Sequence, residues 1–114
     1  MQPGLSAKQR QYLRSLAHSH KPLIQIGSKG IGETVFEQIR AQLLAHELVK
    51  VRFNTESTVE PGEVAAEVLA QTRSELVQQN GRVLTLYRRR DQKPTIQLPK
   101  RASRVTRAEP TEKQ

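Results

Sequence analysis

From residue 23 to residue 53 the chain reads Leu-Ile-Gln-Ile, then Gly27-Ser28-Lys29-Gly30, then an apolar residue at every fourth position, then Leu-Val-Lys-Val-Arg-Phe. No other stretch restricts the fold as much. Leu23-Ile24-Gln25-Ile26 is too short for a helix and rich in β-branched residues, which predicts a strand. Ile31, Val35, Ile39 and Leu43, joined by Phe36 and Leu44, predict an amphipathic helix. Val49, Val51 and Phe53 alternate with Lys50 and Arg52, as a half-buried strand requires. Strand, helix and strand in that order predict a parallel pair with a right-handed crossover, and so an α/β fold. The glycines sit where strand gives way to helix. Lacking a Cβ, they let the backbone turn sharply and come close to a ligand, and the first N–H groups of the next helix point to the same place. Ser28 adds a hydroxyl and Lys29 a mobile positive charge, which suits a phosphate backbone. A G-x-x-G turn is also used as a plain tight connection, so the loop alone does not decide its role.

The flanking segments complete the expected order. Ser6-Ala7-Lys8-Gln9 is a capping box that opens a helix. Tyr12, Leu13, Leu16 and Ala17 form its inward strip, while Arg10 and Arg14, four apart, are expected to face out. His18, Ser19 and His20 end it ahead of Lys21-Pro22, because the residue before a proline avoids helical geometry. The two histidines have no third ligand nearby, so helix termination explains them better than metal binding. Gly32 is the expected N-cap of the second helix, with Glu33 in its first turn and His46 at its C-terminal end. Pro61 suits the first turn of a third helix whose buried stripe is Val64, Ala65, Val68, Leu69 and Thr72. Asn80-Gly81 is the expected turn of a closing hairpin. Thr95-Ile96-Gln97-Leu98, between Pro94 and Pro99, allows a short edge segment. Residues 1–98 thus read as one domain and 99–114, polar and charged, as a disordered tail.

Charge supplies the first indication of a partner. The formal net charge is +8, distributed as +5 over residues 1–32, −3 over 33–87 and +6 over 88–114. Basicity therefore gathers at the loop's end of the chain and in the tail, which makes nucleic acid the first polyanion to consider, ahead of an acidic membrane surface. There is no cysteine, so disulfides and thiol chemistry are excluded. The first six residues lack the apolar core of a signal peptide, and no apolar run approaches the ~20 residues that span a bilayer. These features predict a soluble, cytoplasmic protein, with a monomer as the default.

At this point the order of motifs resembles the CRM domain, the chloroplast RNA splicing and ribosome maturation module, in its single-domain bacterial YhbY-type form. The resemblance rests first on Leu5-Ser6-Ala7-Lys8-Gln9-Arg10, Leu13, Leu16-Ala17-His18 and Lys21-Pro22. It continues through Ile26-Gly27-Ser28-Lys29-Gly30-Ile31, His46-Glu47-Leu48-Val49-Lys50-Val51 and Gly81-Arg82-Val83-Leu84-Thr85-Leu86-Tyr87-Arg88. It implies a compact two-layer α/β sandwich with three helices and a mixed four-stranded sheet, in the order α-β-α-β-α-β-β. That fold is similar to the C-terminal domain of bacterial translation initiation factor three. The resemblance also implies RNA binding through Gly27, Ser28, Lys29 and Gly30, with bacterial members associated with large-subunit ribosomal precursors and plant members with intron splicing. Two positions depart from the family pattern. Gly32 stands where a Thr or Ser cap is common, and Arg73 where a glycine closing the third helix is expected.

Around the loop, Lys8, Arg10, Arg14, Lys21 and Arg88 are the expected flanking contacts, with an ordinary solvated surface as the alternative reading. Lys50 and Arg52 join them if their face of the sheet is open. The basic tail either adds nonspecific, salt-sensitive affinity or simply keeps the chain soluble. With only two tyrosines and two phenylalanines, an aromatic stacking platform is not expected, which favours recognition of backbone and shape. No nucleophile and base at recognisable spacing, metal cluster or dinucleotide fingerprint is present, so neither catalysis nor a cofactor is expected. The expectation is a non-catalytic RNA-binding ribosome assembly factor acting on large-subunit precursor RNA. The alternatives are a general RNA chaperone or intron-binding factor, a protein-binding adaptor, and an RNA-modifying enzyme.

Overall fold

The computed structural model describes residues 4–22 and 24–99. Its elements are α1 (Ala7–Ala17), β1 (Ile24–Ile26), α2 (Glu33–His46), β2 (Leu48–Phe53), α3 (Pro61–Thr72), β3 (Glu75–Asn80) and β4 (Val83–Tyr87). The sheet order is β1-β2-β4-β3, with β1 parallel to β2 and the other pairs antiparallel. The expected order of elements and the mixed four-stranded sheet are what the structure has. The expected residues 100–114 of the tail, and Leu23, lie outside the described residues.

The helices divide between the two faces of the sheet, so the expected two layers carry α1 as a third. On one face α2 and α3 pack over Ile24, Ile26, Val49, Val51, Phe53, Leu84 and Leu86. On the other, α1 lays Leu13 and Ala17 on Leu48, Val77 and Tyr87, with Ile96 and Leu98 filling the edge of that second cluster. Sequence signals for this double burial exist in Leu48-Val49, Leu76-Val77 and Leu86-Tyr87. Adjacent apolar residues on a strand point to opposite faces, and both must be covered.

Local chemistry accounts for the boundaries. The Ser6 hydroxyl accepts from the Gln9 amide at 3.1 Å and the Gln9 side chain accepts from the Ser6 amide at 3.1 Å, the reciprocal box expected. Gly32 caps α2 with no side-chain hydrogen bond. Glu60 caps α3, reciprocally with Glu63, and Pro61 occupies the first turn. Four expectations about the fold need correction. Tyr12, expected on the inward strip of α1, is 39% exposed, because the buried face is centred on Leu13 and Ala17. Leu44 is 70% exposed because it lies about 100° round the helix from Leu43, off the face that Phe36, Ile39 and Leu43 bury. The hairpin pairs Asn80 with Val83, so its two-residue loop is Gly81-Arg82, with φ of +61° at Gly81. Glycine at the first loop position is what a type II′ turn demands. The segment 95–98 packs against the second cluster without joining the sheet.

Arg73 closes α3 in the left-handed conformation, φ 55° and ψ 42°, while the Ser74 amide donates to the Leu69 carbonyl at 3.1 Å. This Schellman-type closure ordinarily uses glycine, since a Cβ is disfavoured there. Arg73→Gly should therefore stabilise the fold by about 0.5 kcal/mol, the relief of backbone strain being offset by the greater entropy of an unfolded glycine. A rise of roughly 2–4 °C in the thermal midpoint would register it.

Candidate nucleic-acid interface

The G-x-x-G segment is a single turn. The Gly30 amide donates to the Gly27 carbonyl at 3.0 Å, which leaves Ser28 and Lys29 at the exposed tip. Gly30 has φ of +72°, so its conformation selects glycine, while a Cβ there would rest against the Thr58 Oγ1 at 3.4 Å, an ordinary contact. At Gly27 the reason differs. A Cβ would meet nothing within 4 Å, so this glycine leaves space open on the outer side of the loop.

The turn is held from below. The Asn54 amide donates to the Ile26 carbonyl at 2.8 Å, tying the end of β1 to the connection that follows β2. That connection folds on itself through Ser57, whose hydroxyl donates to the Val59 carbonyl at 2.9 Å and accepts from the Val59 amide at 3.2 Å. It presents Thr58 and Val59 to Gly30. Immediately beyond the turn, the first amides of α2 have no side-chain cap. The Glu33 carboxylate in that turn is engaged by Arg40 at 3.1 Å, which draws the nearest negative charge along the helix.

The expected contact residues do not form one patch. Arg52 is exposed beside Gln25, its register partner two residues before Gly27, and stands with residues 27–30 at one end of the sheet. Lys21 is exposed ahead of β1. Lys50 has its ammonium committed, donating to the Ala17 and His20 carbonyls at 3.1 and 3.0 Å, where it closes the C-terminus of α1. Its face of the sheet is covered by α1 at Lys50 and open at Arg52. Arg10 does not simply face out, since its Nε donates to the Leu76 carbonyl at 3.1 Å, where a bulge breaks the pairing of β3 with β4. Arg14 is half-buried on α1. Lys8, Arg10 and Arg88 lie toward the opposite end, where β3 begins and β4 ends.

The most heavily bonded of the fully buried side chains among the described residues was not among the expected ones. Glu47 joins α2 to β2 with φ of 65° and is fully buried. Its carboxylate accepts from the Arg90, Thr95 and Ile96 amides at 2.9, 2.7 and 2.8 Å and from the Thr95 hydroxyl at 2.7 Å. No short-range signal marks it, because its partners lie more than forty residues away.

A mixed sheet with helices on both faces and a G-x-x-G turn at the end of its parallel pair defines the class. The chain belongs to the CRS1 / YhbY (CRM) domain family, whose pattern matches residues 5–88. It is 35% identical over 95 residues to the Bacillus subtilis protein named "Probable RNA-binding protein YqeI", covering 83% of this chain and 99% of that one. It is 34% identical over 97 residues to a Haemophilus influenzae protein named "RNA-binding protein", covering 85% and 97%. A Staphylococcus aureus protein solved in solution superposes with a TM-score of 0.70 at 41% identity, over 83% of this chain and 99% of the other. Among the described residues no helix is long and apolar enough to cross a membrane.

Proposed function

We propose that this protein is a non-catalytic RNA-binding factor that engages ribosomal RNA of a large-subunit precursor, as a cytoplasmic monomer, through the 27–30 turn and the basic surface beside it. The observation that carries the reading is the turn itself. Ser28 and Lys29 stand at its exposed tip, Gly27 leaves its outer side open, and uncapped amides of α2 lie behind it. A phosphate there would receive a hydroxyl, an ammonium and main-chain donors together. The family membership and the RNA-binding names of the relatives support the same partner. Arg52 extends the positive surface on this end, whereas Lys21 lies behind β1 beside His46, Leu48 and Lys50, and Lys50 and Arg10 serve the surface indirectly by fixing α1 to the sheet.

Sedimentation of ribosomal particles from a lysate, at low and high salt, tests this reading. The wild type should co-migrate with large-subunit precursors at low salt. The double variant Lys29→Glu, Arg52→Glu should move to the top of the gradient, with RNA affinity reduced about a hundredfold, since two phosphate contacts become repulsions. A wild type that never enters the ribosomal fractions would remove the assembly role, leaving a free-RNA partner to be sought.

A further inference from the structure

The end of the sheet opposite the loop is also strongly basic, and its arginines come from separate segments. Arg73 closes α3, Arg40 lies on α2, and the run Arg88-Arg89-Arg90 leaves β4. They line two adjoining clefts of about 270 and 710 Å³, the smaller floored by Leu43 and Leu44 of α2. Among the described residues Arg73, Arg88, Arg89 and Arg90 have no carboxylate within ion-pair distance, while Arg40 is paired with Glu33. The acids at the rims are Asp91 and Glu75, and Glu47 beneath is occupied by its own hydrogen bonds. Arg88 donates to the Thr72 carbonyl at 3.4 Å, which leaves its charge uncompensated, and four guanidinium groups without an ion partner lining the same clefts repel one another unless an anion joins them.

We propose that this arginine cluster is a second RNA-backbone site, so that one protein grips a structured RNA at both ends of its sheet. The inference rests on the RNA-binding reading above. Guanidinium forks match phosphate oxygens bidentately, which a cluster built wholly of arginine exploits better than one of lysine. Exposed Leu44 beside the arginines gives an unstacked base an apolar surface to rest on. The two ends are separated by the length of β2, roughly 17 Å for six residues. A folded RNA can reach both ends, and a tetranucleotide held at the turn cannot.

The test compares a tetranucleotide with a hairpin RNA of about 20 base pairs, the scale of RNA contacted by double-strand binders. Arg73→Gly with Arg89→Ala removes two charges, and the glycine suits the left-handed backbone, so lost folding does not confound the result. The double variant should bind the hairpin about tenfold more weakly. Its slope of log affinity against log salt should fall by about two, and its tetranucleotide affinity should be unchanged. Lys29→Glu should weaken both probes. Unchanged hairpin affinity and slope in the double variant, with Lys29→Glu still weak, would overturn the second site and leave the first standing. A wild type that binds neither probe would overturn both, and tighter binding of poly-glutamate than of RNA at these arginines would overturn the assigned partner.

Discussion

Glu47→Gln should lower the thermal midpoint by about 15 °C, a larger loss than any surface substitution would give. The wild-type carboxylate is fully buried and meets only donors, three amides and one hydroxyl. A glutamine turns an NH2 group toward either the Arg90 amide or the Thr95 and Ile96 set, so a donor faces a donor and the charge-assisted character is lost. We expect a cost of about 3 kcal/mol, and each kcal/mol shifts the midpoint of a domain this size by roughly 4–8 °C. Glu47→Gly separates the two features of the site. It removes the strain of φ 65° yet leaves every donor unpaired, so it should still be strongly destabilising. Amide exchange should accelerate first at Arg90, Thr95 and Ile96. Equal acceleration throughout the sheet would argue that Glu47 supports the fold as a whole rather than this attachment.

The same network sets a pH dependence. Burial raises the Glu47 pKa, but the hydrogen bonds from Arg90, Thr95 and Ile96 outweigh burial and hold it below the ordinary glutamate range. A lowered folded value means that the stabilisation is present in full above the unfolded pKa, about 4.3, and is lost as pH falls through the folded one. The stability gap between wild type and Glu47→Gln should hold steady from neutral pH to about 5 and narrow below 4. A gap that persists undiminished into strong acid would show that the ionised carboxylate is not what the segment is fastened to. Tyr87 shows the opposite direction. Burial, then the charge of Glu47, push its ionisation up, and its buried hydroxyl has no hydrogen-bond partner among the described residues.

Legibility in the sequence followed the range of the interaction. The Ser6–Gln9 box, the period-four stripe of α2, and the glycines at 27 and 30 are decided within one turn of chain, and each stands where the local pattern puts it. The turn of the hairpin was legible to within one residue. Either Asn80 or Gly81 tolerates positive φ, and the choice between Asn80-Gly81 and Gly81-Arg82 depends on the cross-strand register. Long-range chemistry was not legible. Lys50 and Arg10 look like solvent-facing bases until α1 and the bulge in β3 present carbonyls to them. Glu47 looks like one more surface acid at a helix end until the segment after β4 returns over it. The division of the contact residues between two ends of the sheet has the same origin, since Arg88 is distant from the loop only because β4 runs antiparallel to β2.

Arg82→Ala should cost about 2 kcal/mol and weaken RNA binding although the residue lies beneath the loop rather than in it. The Arg82 Nε donates to the Phe53 carbonyl at 2.9 Å and Nη2 to the Asn54 carbonyl at 2.8 Å, while Nη1 reaches Glu60 at 3.1 Å. The ion pair is a third exposed on one side and 59% on the other, so screening leaves it little weight. The Phe53 carbonyl carries most of the cost, because it loses this donor where the chain leaves the sheet, whereas the Asn54 carbonyl keeps the Ser57 amide at 3.0 Å. From Asn54 the effect passes along two short routes, through its amide to the Ile26 carbonyl and through Thr58 and Val59 to Gly30. Arg82→Lys keeps the charge but cannot reproduce the fork that meets both carbonyls and the carboxylate. If the fork positions the turn, the lysine variant should lose nearly as much RNA affinity as the alanine variant, with both midpoints lowered by roughly 8–16 °C. Full recovery of affinity by lysine at an unrecovered midpoint would mean that Arg82 acts on RNA through its charge, and that the turn keeps its shape without this support.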